Sequence, residues 1–466
     1  MDIRRKSLLL SCTLLALGST AGQVSAAGFA LIEQSVSGMG TAYAGGAALA
    51  EDNSTLFFNP AGMTRLKGTR GSAGIHLVLP SNKFNDNGST YAGALGGASL
   101  GGGDGGDAGG LAGVPHTYIS HQFSDKYWLG FAINAPFGLT TEYESDWIGR
   151  YHAIKSAIKT VNLNPSIAFK ANKHISLSAG ISAQYLDAEL SNAIDFGAID
   201  ALPTGFGGLG GALGLGGPGA SDGKVAIEAD SWGWGFNLGA LFEVSDNTRL
   251  GFHYRSEIDH SVEGTADFSG PSQALVSAAI FGATGLVQLA DTPVKSDVTL
   301  PATASISFYH QLNPEIALMG DYTWTGWSSI PELRFNFASD QSDGITTFNW
   351  RNTYRVALGG TYRSQGSKWQ YRAGAAYDQS PVKNSADRGA RLPDNSRIWL
   401  ALGAGYQFNK NTKIDIGYSH LFIKDPGIDK SATSAPGQED FLRGNIQGTY
   451  ESSVDILSIQ AEMTFI

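Results

Sequence analysis

The sequence predicts an all-β chain, a closed antiparallel transmembrane β-barrel of 14 strands preceded by a compact segment that joins no strand. Three observations carry this. Apolar residues alternate with polar or small ones from Gly71 to the end, the period-2 signature of strands with two unlike faces. The chain opens with an export leader. After that leader no apolar run reaches the ~18 residues of a membrane helix. Lipid admits only helices and closed barrels, because every backbone polar group must find a partner within the protein.

The leader is residues 1–26. Arg4, Arg5 and Lys6 make a positive start, Ser7 to Leu17 an apolar stretch too short to span a bilayer, and Val24-Ser25-Ala26 a small-residue cleavage site. Cleavage there makes Ala27-Gly28-Phe29 the mature start. Cys12, the sole cysteine, lies in the leader, so disulfides, thiolate metal sites and cysteine nucleophiles are excluded from the mature chain. The net charge of −10 is dispersed along the chain, which argues against a nucleic-acid partner. The 61 glycines, well above the usual ~7% of residues, fit a barrel with close-packed loops.

Residues Ala27 to Leu66 are too rich in small side chains (Gly38, Gly40, Ala42, Ala44, Gly45 to Ala48) for a strand or long helix, and their backbone suits close packing inside something larger. Asn59-Pro60 makes a rigid break, since proline lacks a donor and disfavours helix at the residue before it. Strands follow. In Trp232 to Phe242 the even positions are mostly bulky and apolar, and the odd ones include Gly233, Gly235, Asn237 and Gly239. Leu250, Phe252 and Tyr254 oppose Arg249, Gly251 and His253; Ile398, Leu400 and Leu402 alternate with Arg397 and Gly403. Six tight turns (at Ser124-Asp125-Lys126, Asn172-Lys173, Ser245-Asp246-Asn247, Asn313-Pro314, Gln365-Gly366-Ser367 and Lys410-Asn411) mark the periplasmic rim. Seven longer connections, near 82–113, 141–155, 190–224, 264–296, 337–348, 382–395 and 425–447, face outward. Thirteen connections join 14 strands, and the last strand alternates Leu457, Ile459, Ala461, Met463 and Phe465 with polar residues.

The third strand alternates through Leu129, Phe131, Ile133 and Ala135 and then meets Pro136, which cannot donate to a ladder and marks a bulge or bend eased by Gly138. Arg249, His253 and Arg255 share a lumen-facing polar side, suited either to a carboxylate ligand or to pairing with nearby acids. The loops at 190–224 and 264–296 carry Ile194, Phe196, Phe206, Ile280 and Phe281, apolar content that suits a binding surface or a lid packed on itself. The glycine-rich run Gly101 to Asp107 is a single imperfect copy of a calcium repeat and reads as external loop. The nine histidines fall singly and no Ser/His/Asp arrangement stands out, so the reading is of a non-enzyme with no metal and no cofactor.

Several stretches together resemble the FadL-type family of outer-membrane long-chain fatty acid transporters. They are the AGF start, Ser35 to Gly45, Asn59-Pro60-Ala61, NAPFGLTTEYESDWIGRYHA (134–153), WGWGFNLGALFEVSDNTRLGFHYRSE (232–257), TYRVALGGTYR (353–363), YDQSPV (377–382) and LPDNSRIWLALGAGYQFN (392–409). The resemblance implies that residues 27–66 form a hatch inside a barrel of residues 67–466. It implies capture of a hydrophobic ligand by the two apolar loops, a lumen pocket reached by Phe29, and lateral release at an inward kink around Ala135, Pro136, Phe137 and Gly138. The cargo would be long-chain fatty acids or, within the same family, aromatic or aliphatic hydrocarbons; a general porin and a barrel hydrolase fit less well. The family's basic pocket residues align near Asn192 and Thr346, neither of them basic. Outer-membrane lipid, lipopolysaccharide and, through the C-terminal strand, the barrel assembly machinery are the implied partners.

Overall fold

The computed structural model describes residues 28–203, 208–432 and 439–465, so the leader and Phe206 lie outside the described residues. Fourteen antiparallel strands make the wall. They are β1 (Thr69–Asp86), β2 (Ala112–Gln122), β3 (Tyr127–Asn134, resumed at Gly138–Glu142), β4 (Lys155–Lys170) and β5 (Ile175–Asp195). Next come β6 (Asp222–Ser245), β7 (Thr248–Arg255 and Ile258–Ser269), β8 (Thr292–Leu300 and Thr303–Gln311), β9 (Ile316–Thr325, prolonged by Glu332–Phe337) and β10 (Gly344–Thr347 and Thr353–Tyr362). The circuit ends with β11 (Trp369–Asp378), β12 (Arg397–Asn409), β13 (Thr412–Ile423 and Gly427–Lys430) and β14 (Ile446–Phe465). Each strand pairs with the next, and β14 pairs with β1 from Thr69↔Phe465 to Asp86↔Gly448, which closes the barrel.

The alternation seen in the sequence is the division between lipid and lumen. Trp232, Trp234, Phe236 and Leu238 are exposed on the outer face of β6, as are Ile398, Leu400 and Leu402 on β12 and Leu457 and Ile459 on β14. Between them Asn237, Arg397 and Gln460 are buried inside. The six short turns connect neighbouring strands at one end. At the other end the strands are longer than their sequence pattern suggests. β5 and β6 stay in register as far as Asp195↔Asp222, so Ile194 is a strand residue and not a loop residue. A bilayer needs only ~9–11 residues per strand, so these 21- and 24-residue strands stand above it.

Residues 28–66 fill the lumen as a hatch of short turns: helices Val36–Met39, Gly46–Leu49 and Thr55–Phe58, then a 3₁₀ turn Pro60–Arg65. Asn59 is extended at the break before Pro60. Its side chain accepts from the Ala61 amide (3.1 Å) and donates to the carbonyls of Ala47 (2.7 Å) and Ala240 (2.9 Å), tying two hatch turns to β6. Pro60 opens the 3₁₀ turn and Ala61 is wholly buried beside Leu241. The glycines of the inner wall face this segment. A Cβ on Gly403 would stand 2.8 Å from Gly40 Cα, and one on Gly251 2.0 Å from the Ala47 carbonyl. Much of the glycine excess therefore serves hatch docking as well as loops.

Candidate functional site

The site begins where β3 leaves the wall. Its ladder with β2 covers Thr117↔Ile133 to Gln122↔Trp128 and stops, although β2 continues to Ala112 on β1. Beyond the kink, Gly138–Glu142 pairs only with β4. Among the described residues, 112–116 of β2 therefore have no strand partner on that side, and the wall has a gap. The backbone of the kink is satisfied from within. Leu31 donates to the Pro136 carbonyl (2.8 Å), Gly138 donates to the Phe29 carbonyl (2.9 Å), and Gln34 Nε2 donates to the Ala135 carbonyl (2.7 Å). Phe137 donates to Thr160 Oγ1 (3.0 Å). The hatch start thus replaces the missing neighbour strand at Ala135, Pro136, Phe137 and Gly138.

Phe29 is held there in an aromatic cluster, its ring 5.1 Å from Trp327, 5.8 Å from Phe137 and 6.1 Å from Trp350. Gly28 has φ +64°, and its amide donates to Asp394 (3.1 Å). Beside the cluster lies a cavity of about 70 Å³, lined by Phe29, Leu186, Ile227, Val298, Phe348 and Trp350 among others, with Arg391 also in its lining.

Arg391 was not a sequence candidate. It comes from the loop between β11 and β12 and reaches across to β4 and β5. Its guanidinium donates to the carbonyls of Lys155 (3.2 Å) and Ser191 (3.4 Å), to Ser156 Oγ (3.1 Å) and to Asn192 Oδ1 (2.9 Å). None of these partners is an acid. Burial first, and then the Arg443 cation, lowers its pKa to about 9, which still leaves it charged at neutral pH. Arg443 itself reaches Thr346 Oγ1 (3.5 Å) and pairs with Asp440 (3.0 Å). The two positions that lack a basic side chain, Asn192 and Thr346, each receive an arginine from a distant loop. In sequence only their presence in long loops was visible; nothing local says that they fold back.

The other sequence candidates separate. Arg249 and Arg255 face the lumen, but they serve the hatch and, among the described residues, do not pair with acids: Arg249 donates to the carbonyls of Ala48 (3.0 Å) and Leu49 (2.9 Å), and Arg255 to that of Phe57 (3.1 Å). His253 is buried beside them. Phe196 is 0% exposed and so is not on a capture surface; its ring lies against Gly223 and Gly270 in the core that the two outer loops share. Ile194 and Ile280 pack into that same core because each loop forms a short helix whose apolar side the other covers. Phe281, 54% exposed, stays outside with Leu275, Leu286 and Val287. In the glycine-rich loop, Asp107 accepts from the Asn82 (2.7 Å) and Gly109 (3.0 Å) amides, a turn-forming use of its carboxylate.

A family model described as outer membrane protein transport protein (OMPP1/FadL/TodX) matches residues 17–465. The chain belongs to this family. The long-chain fatty acid transport protein of Escherichia coli K12 is 30% identical over 429 residues, which cover 88% of this chain and 91% of that protein. The crystal structure of a Pseudomonas aeruginosa FadL homologue superposes with a TM-score of 0.84 at 29% identity, covering 94% of this chain and all of that one. The Ralstonia pickettii toluene transporter TbuX shares the fold (TM-score 0.62, 22% identity, 91% and 97% covered). This FadL/TodX-family member is thus an outer-membrane β-barrel transporter of hydrophobic compounds.

Proposed function

We propose that this transporter imports long-chain fatty acids: the exposed loop patch around Phe281 captures them, the cavity above Phe29 holds them, and the gap at β3 releases them into the membrane. The observation that carries the reading is Arg391, a charged side chain with no acid partner among the described residues, in the lining of an otherwise apolar cavity. A desolvated cation is costly until a counter-charge arrives, and a carboxylate supplies one through charge-assisted hydrogen bonds. A hydrocarbon would leave it unpaired. Phe29 would form the floor of the occupied pocket, and nothing in the reading requires chemistry on the cargo. Lateral release also suits the energetics. Exposing a 16-carbon chain to periplasmic water costs ~0.8 kcal/mol per methylene, roughly 12 kcal/mol in all, and a sideways step into lipid avoids most of it.

Equilibrium binding of labelled oleate and of toluene to purified protein tests the head-group assignment. Arg391→Gln should weaken oleate about tenfold or more, the ~1.5–3 kcal/mol of a charge-assisted bond, and leave toluene unchanged. Equal oleate affinity in the two proteins would overturn the assignment; tight toluene binding with none of oleate would move the cargo to the hydrocarbon class.

A further inference from the structure

A second cavity, of about 120 Å³, lies on the other side of the Phe29 cluster. Trp327 and Phe137 belong to its lining while Phe29 belongs to that of the upper cavity, so the packed rings are the partition between the two. Pro136 and Phe137 line one side of it, at the kink. The opposite side is an inward-facing row across four strands, His253↔Ser305↔Thr323↔Arg355, with Arg255 one step along on β7. His253, Arg255 and Arg355 are 8%, 7% and 5% exposed, and all three line the cavity.

The donors of these three side chains are only partly used. Arg255 donates one bond to Phe57 and stacks over its ring (4.6 Å), and its Nη1 has no partner among the described residues. Arg355 donates to the Ala42 carbonyl (2.8 Å) and lies 5.2 Å over Trp399, yet its Nε and Nη1 are unpartnered, as is His253 Nε2. Of the acids nearby, Asp378 also lines the cavity. Asp378 stands in register with both Arg355 and Arg397, and Asp321 accepts from Ser307 (2.5 Å) and Thr323 (2.7 Å). Glu33 of the hatch shares the field of Arg355 and Arg397. No acid forms an ion pair with Arg255 among the described residues. Native interiors rarely leave buried guanidinium donors unpaired, so unpaired donors on residues that line a cavity point to a ligand that completes them.

We infer that this lower cavity is a second anionic-headgroup station, where Arg255 and Arg355 hold the cargo's carboxylate beside the β3 gap after it leaves Arg391. The inference rests on the carboxylate reading above. A carboxylate crossing the aromatic partition with no charge to meet it would bear the full penalty of a buried anion. A cationic row on the far side divides the passage into two short steps, and it keeps the head group in the lumen while the apolar tail lies toward the gap.

The mature chain has no cysteine, so single cysteines report on each cavity: Ser296→Cys above, Ser305→Cys below. The rate of thiol modification is measured with oleate and with oleyl alcohol, each at a concentration giving equal protection of Ser296→Cys. Oleate should then protect Ser305→Cys at least tenfold more than the alcohol does. Adding Arg255→Gln should abolish the difference, and Arg255→Lys should restore most of it. Equal protection of Ser305→Cys by the two lipids, or a difference that survives Arg255→Gln, overturns the inference while the fatty-acid reading stands. Failure of oleate to protect even Ser296→Cys overturns both. The lipid comparison in the unsubstituted background decides the matter should Arg255→Gln fail to fold.

Discussion

The hatch meets the wall in two unlike ways. From β6 round to β14 it is gripped by wall side chains: Arg249, Arg255 and Arg355 donate to hatch carbonyls, Ser307 accepts from Ala47 (3.0 Å) and Gln460 from Val36 (3.2 Å). Below them Arg372 bridges Asp415 (2.8 Å) and Glu51 (3.2 Å), and Lys413 adds a third contact to Glu51 (3.1 Å). At β3 the contact is mostly backbone to backbone, two amide bonds and an aromatic cluster. Many dispersed side-chain bonds make a permanent seat. Two ladder bonds beside an aromatic cluster make a lighter contact.

Removing the hatch altogether should have the largest effect. Deletion of Gly28 to Thr64 leaves a barrel that conducts ions in planar bilayers at least tenfold better than the full protein; equal conductance would mean that the segment does not occlude the lumen. The β3 contact can be blocked next. A Cβ on Gly138 would already stand 3.0 Å from Leu31, so Gly138→Trp fills the gap. Oleate uptake should stop while binding to the purified protein persists, and uptake at the wild-type rate with the gap filled would route the cargo elsewhere.

The seat is tested through its charges. Arg372→Met leaves Glu51 and the fully buried Asp415 to share Lys413, which should weaken hatch docking, though by less than the ~3–5 kcal/mol of a buried pair broken outright. Hydrogen exchange at Gly46 to Phe58 would speed up accordingly; unchanged protection would show that the charge network is incidental. A smaller effect is expected from Glu33. Burial raises its pKa to about 7, against the pull of Arg355 and Arg397, and Asp378 adds to the rise. An acid with a raised folded-state pKa keeps its proton when docked and loses it when undocked. Docking is therefore strongest below the ordinary value of 4.5 and weakens as pH rises to about 7, by up to roughly 3 kcal/mol. Exchange rates of the neighbouring hatch amides should show that slope, and Glu33→Gln should flatten it.

What was legible in the sequence follows from how local each cause is. Wall strands were readable because lipid and lumen impose alternation on every one, and the six turns because their residues carry their own conformational signals. Pro136 was readable as a place where a ladder fails, since a missing donor is a property of one residue. Which partner replaces the lost strand was not, because Leu31 and Pro136 meet only in the fold. The head-group end was invisible for the same reason. Arg391 meets Asn192, and Arg443 meets Thr346, across loops with no periodic pattern. Phe196 and Ile280 read in sequence as part of a capture surface or of a lid packed on itself, and both are buried in the core that the two loops share.

The closing seam has a consequence for how the molecule comes to be. The hatch lies immediately before β1, and β1 is joined along 18 residue pairs to β14, the last strand made. Hatch amides at Gly28 and Val36 bond to Asp394 and Gln460, 366 and 424 residues away. The first part of the mature chain therefore lacks these two contacts until nearly the whole wall is made. Sealing the first strand to the last then encloses it, in the manner of a ship assembled before its bottle is closed. Biogenesis of this barrel therefore demands that its contents be in place, or threaded in, by the moment of closure, and late non-local contacts of this kind make that moment the slow one.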